Sequence, residues 1–136
     1  MLEKKLKEHL IQEIVKELQP AFVLLYGSFA KDAHHESSDI DLAYFSDKEL
    51  SNYERFILAN KLSSLAEREV DLVDIKQIDT VFTMQIFTEG IPIYIADENT
   101  FISQRIRAYR MYVTLNEQRA PVIEAIKESG RVFRHE

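Results

Sequence analysis

Asp39 and Asp41 stand two positions apart in SSDIDLAYF, where a polar stretch gives way to a β-prone run. Strand side chains alternate faces, so the two carboxylates project from the same side at the leading end of the strand. Adjacent anions repel. The arrangement is costly unless solvent or a cation lies between them, and hard divalent ions such as Mg2+ favour such an oxygen site. D-x-D by itself is more often an exposed turn. A calcium loop is excluded, because Ala43 and Tyr44 occupy the positions where it requires Asp or Asn and then Gly. Helix capping is excluded by the β-prone run that follows.

Phosphoryl-transfer sites built on two metals need more carboxylate than one pair supplies. The segment EVDLVDI offers Asp71 and Asp74, which a strand places on opposite faces, so at most one can join the cluster. Spacing does not choose between them. Asp71 is the candidate because it stands near the start of its strand, as Asp39 does near the start of its own. Upstream, Gly27-Ser28 directly follows the apolar run AFVLLY and precedes FAKDA, which has room for one or two helical turns. Backbone amides at such a turn form an anion pocket, glycine permits close approach of phosphate, and the serine hydroxyl adds a donor. A Gly-Ser pair alone is more often a plain strand-to-helix turn. The combination with the aspartates is what points to nucleotide chemistry.

The elements that must position these residues follow from periodicity. Leu2, Leu6, Leu10 and Ile14, joined by Ile11, Val15 and Leu18, repeat at helical spacing, and Pro20 follows. AFVLLY, residues 21–26, reads as a strand buried on both faces, and IDLAYF, residues 40–45, as a second. Ser51 and Glu54 form a capping-box signature ahead of a helix ending near Arg68. A third strand is predicted over 70–75, a short helix over 80–87, and a fourth strand in IPIYIA with Pro92 near its start. From about residue 98 to 130 the pattern is helical; Pro121 is expected to kink that stretch or start a new helix, and Gly130 to cap it. The expectation is an α/β (α+β) fold: a small mixed sheet of about four strands spanning residues 21–95, flanked by helices. One domain is expected over 1–136, with no repeats and no linker.

Composition narrows the classes. With 46% hydrophobic and 29% charged residues the chain has the balance of a globular protein. Its longest apolar run is too short to cross a bilayer, and the amino-terminal segment has no apolar signal core, so a cytoplasmic protein without membrane association is expected. There is no cysteine, hence no disulfide framework and no thiolate metal site. The net charge of -6 argues against stable nucleic-acid binding.

The stretch GSFAKDAHHESSDIDL, residues 27–42, with VDL at 70–72, resembles the nucleotidyltransferase superfamily that includes DNA polymerase β, and within it the minimal nucleotidyltransferases. The resemblance implies a polymerase β palm-like fold. It implies that Gly27 and Ser28 hold the β and γ phosphates of ATP, with the positive charge of Lys31 beside them. Asp39 and Asp41 would bind two Mg2+ ions, and Asp71 would complete the first metal's shell and help to activate the attacking hydroxyl. Many relatives carry Arg-Gly where this chain has Lys31-Asp32; the charge is kept, the glycine is lost, and Asp32 adds repulsion toward a triphosphate.

Relatives of this size are antitoxins encoded beside HEPN-domain ribonuclease toxins, and some attach AMP to a toxin tyrosine. The resemblance therefore implies a protein adenylyltransferase antitoxin that forms a hetero-oligomer with its toxin. A small-molecule (antibiotic) nucleotidyltransferase is disfavoured for want of a second, acceptor-binding domain. An antitoxin that acts by binding alone is the competitor from another class. His34-His35-Glu36 reads as a solvated loop rather than a metal cluster. Arg105, Arg107 and Arg110, with Tyr109 and Tyr112, read as a solvated basic stripe beside core-facing tyrosines, or as a surface facing a partner protein.

Overall fold

The structure, a computed structural model, describes residues 2–31 and 38–134, with side chains as far as residue 127. Helix α1, Lys4–Leu18, buries Leu10, Ile14 and Leu18 along one stripe. It stops at Gln19, whose φ of 41° leaves the helical region and whose amide donates to the Val15 carbonyl at 2.9 Å. Strands β1 (Phe22–Tyr26), β2 (Ile40–Phe45), β3 (Val70–Asp74) and β4 (Ile91–Ile95) form one sheet in the order β3-β2-β1-β4. β1 runs antiparallel to both β2 and β4, and β2 runs parallel to β3. The sheet is mixed, as expected. Helix α2, Asn52–Ala66, makes the crossover that parallel β2 and β3 require. Its capping box is complete: the Glu54 amide donates to the Ser51 hydroxyl at 3.1 Å, and the Ser51 amide donates to Glu54 Oε1 at 3.0 Å.

Two cores sandwich the sheet. On one face Val23, Leu25, Ile40, Leu42 and Tyr44 pack against Leu10, Ile14, Leu58 and Leu62 of α1 and α2. On the other, Phe22, Leu24 and Ala43 meet Ile86 and Phe87 of α3 (Thr80–Glu89) and Phe101 and Ala108 of α4 (Glu98–Arg134). Phe22 is the centre of this second core, with ring centroids 5.6, 5.0 and 5.9 Å from Phe45, Phe101 and Phe87. Pro92 lies on edge strand β4, where a missing amide donor is tolerated.

Several boundaries differ from expectation. β3 ends at Asp74, because the Asp74 carboxylate accepts from the Lys76 amide at 2.9 Å and turns the chain into a 3-10 turn at Ile75–Gln77. After β1 the expected helical turns are a single 3-10 turn, Gly27–Phe29. α3 is two residues longer than expected, ending at Glu89. Pro121 does not start a separate helix; α4 is one element through it, and Gly130 lies within α4 instead of capping it. Residues 116–127 are exposed on every side. Water can therefore take up the Glu117 carbonyl that Pro121 leaves without a donor, which makes the break unnecessary. Among the described residues no helix is long and apolar enough to cross a membrane.

Candidate active site

The carboxyl end of β1 and the amino ends of β2 and β3 meet at one margin of the sheet. Register places Tyr26 opposite Asp41, and Asp41 opposite Asp71. Directly opposed residues share a face, so Tyr26, Asp41 and Asp71 form a row across three strands on the α3/α4 side. Asp39, just before β2, has the same parity as Asp41. Asp39 and Asp71 are exposed, whereas Asp41 is half-buried. The electrostatics reflect this convergence: the Asp41 carboxyl is pushed up to about 6, first by burial, then by the charges of Asp71 and Asp39.

Asp74 stands on the opposite face, opposite Tyr44, only 1% exposed and capping the turn after β3. The second acid of β3 is thus structural. Among the described residues, no group of three His, Cys, Asp or Glu side chains closes around a point that could hold a metal ion. The donors nonetheless suit a hard cation: the charges of Asp71 and Asp39 bear on the Asp41 carboxyl, which is held partly out of water.

Gly27 is required for two separate reasons. Its φ of +71° disfavours any side chain, and a Cβ there would collide with the Asp41 carboxylate, 3.1 Å from Cγ. The glycine therefore seats the central acid directly beneath the turn. Ser28 is half-buried within that turn. Lys31 is exposed, and its Nζ lies 3.2 Å from Glu89 Oε2 at the end of α3. Asp32 and His34-His35-Glu36 lie outside the described residues.

Two further contributors escaped the sequence reading. The Tyr26 hydroxyl is held well above its ordinary value by burial and by the charges of Asp71 and Asp41, and its ring meets Phe82 edge-on at 5.7 Å. Its strand-terminal position before Gly27, with the parity that faces the acids, was the available signal. Arg68 is the other: its guanidinium lies 5.0 Å from the Phe29 ring centroid, and Nη1 donates to the Ser38 carbonyl at 3.0 Å. It thereby ties the Gly-Ser turn to the start of the aspartate strand. No sequence pattern announced it. The expectation of core-facing tyrosines on the late helix fails at Tyr109, which is 42% exposed, because Phe101 and Ala108 occupy the inner side of α4.

The family model described as polymerase beta nucleotidyltransferase matches residues 8–99. The chain is 30% identical over 133 residues to the protein adenylyltransferase MntA of Shewanella oneidensis, covering 96% of this chain and 95% of that one. A chain of a toxin–antitoxin crystal structure with AMP-PNP superposes with a TM-score of 0.76 at 29% identity, covering 88% of this chain and 98% of the other. A chain of the MntA-HepT toxin–antitoxin structure superposes with a TM-score of 0.77 at 25% identity, covering 92% and 99%.

Proposed function

Because the chain belongs to the polymerase beta nucleotidyltransferase family, we propose that it is a protein adenylyltransferase antitoxin. It transfers AMP from ATP to a tyrosine hydroxyl of a HEPN ribonuclease toxin encoded beside it and so neutralises the toxin. The observation that carries the chemistry is the row formed by Asp41 and Asp71 beneath a glycine that no other residue can replace without collision. The acceptor and the role follow from similarity to a protein adenylyltransferase over nearly the full length of both chains, and from likeness to toxin–antitoxin structures.

In this reading Gly27 and Ser28 bind the β and γ phosphates, and Lys31 supplies countercharge. Two Mg2+ ions held by Asp39, Asp41 and Asp71 would supply charge neutralisation on the transferred phosphate and on the departing pyrophosphate. The acceptor oxygen forms a bond to the α-phosphorus, the bond from that phosphorus to the bridging oxygen breaks, and pyrophosphate leaves. In this reading Asp71, the exposed end of the row, orients the acceptor hydroxyl and receives its proton.

The test mixes the protein with ATP labelled in its α-phosphate, Mg2+ and the toxin partner, beside an Asp39→Asn/Asp41→Asn control. Label on the partner only with intact acids is the expected result. Equal labelling by the control would refute the assigned acids. An antitoxin acting by binding alone would leave ATP untouched and still neutralise its toxin after Asp41→Ala.

A further inference from the structure

Helix α4 presents a second, outward stripe. Phe101 and Ala108 fix its inner side, with Gln104, Tyr112 and Leu115 partly covered. At about 100° per residue, Ile102, Ile106, Tyr109 and Val113 fall on a different side, turned by roughly 120° from the inner one. These four are 50%, 46%, 42% and 51% exposed. Their spacing of four, three and four is that of a seam for a second helix, and the same register continues through Asn116 to Ile123, 46% exposed. A contiguous apolar surface of this kind marks an interaction site.

Its borders are charged. Arg105 flanks the stripe on one side and Arg110 on the other, and residues 99–116 contain three arginines and no acid, in a chain of net charge -6. A second copy aligned on the same segment offers no countercharge in either direction, so arginine would face arginine or neutral side chains.

We propose that this stripe docks an amphipathic helix of the protein acceptor, one whose apolar face is bordered by Asp or Glu on both sides. The inference takes from the proposed function only that a protein acceptor exists. Docking along α4 would hold the acceptor on the side of the sheet that carries Asp41 and Asp71, leaving the acids themselves free for chemistry.

The experiment titrates the product of the adjacent toxin gene into the full chain by calorimetry, for wild type, Val113→Asp and Arg105→Glu/Arg110→Glu. Melting temperature and ATP binding are measured alongside. Both variants are expected to bind the partner at least tenfold more weakly, with melting and ATP binding unchanged because the altered positions are exposed. Wild-type affinity in both variants would overturn the proposal. So would concentration-dependent self-association of the chain alone that Val113→Asp abolishes, which would assign the stripe to a second copy. Stripe-dependent binding without AMP transfer would remove the enzymatic reading and keep the docking surface; AMP transfer with stripe-independent binding would do the reverse.

Discussion

At the scale of single residues, Asp41 concentrates the tension of the site. Its carboxyl lies at about 6 rather than the ordinary 3.8, so the folded chain holds a proton that the unfolded chain has released across this interval. Without metal, the contribution of Asp41 to stability should be greatest below pH 4, be lost as pH rises through 6, and stay lost at neutral pH. Asp41→Asn should flatten that fall and stabilise the metal-free protein at pH 7.5 by about 1 kcal/mol, a value discounted for the partial solvation of the site. Denaturant melts in chelator across pH 4–8 read this directly, and added Mg2+ should stabilise wild type but not the variant. Gly27→Ala meets both a left-handed backbone and the Asp41 carboxylate. A loss of about 1–3 kcal/mol and of ATP binding is expected by melting and nucleotide titration. Lys31 is engaged by Glu89 at 3.2 Å, a contact that a triphosphate bound as proposed would have to replace. Glu89→Gln should lower the KM for ATP about two- to threefold with kcat unchanged, the small size following from the exposure of the pair.

At the scale of elements, the site depends on where three strands end. β1 stops at a glycine, while β2 and β3 begin within one register step of each other, so one edge of the sheet collects the acids. α2 sets that register because it is the crossover between the two parallel strands. Its start is fixed by the Ser51–Glu54 box, both of whose bonds are exposed. Ser51→Ala should cost about 1 kcal/mol in denaturant unfolding while leaving ATP binding intact, since the cap lies at the other end of β2 from the acids.

At the scale of the whole molecule, α4 plays two parts. Phe101 and Ala108 on one side of it close the second core, whereas residues 116–127 are all exposed. Removing the chain from residue 116 onward should therefore shift the melting temperature by no more than a few degrees by circular dichroism, because none of residues 116–127 is buried. A large fall would mean that the far part of the helix supports the core.

Local chemistry was legible in the sequence. Asp39 and Asp41 share a face because strand geometry has a period of two, Gly27 must precede a tight approach, and Ser51 with Glu54 starts α2; each depends on neighbours within a few positions. Asp71 and Asp74 could be placed on opposite faces, but only the parallel pairing of β2 and β3 brought Asp71 level with Asp41 and turned Asp74 into the core side. Tyr26 and Arg68 joined the site through contacts between distant segments, which no local pattern encodes. Pro121 misled for the complementary reason: its local preference favours an end, and the solvation of residues 116–127 removes the need for one; α4 also runs on through Gly130. Sequence determined which groups were available and which faces they took, since those follow from backbone period; tertiary structure decided which of them meet, since pairing register is a property of the whole sheet.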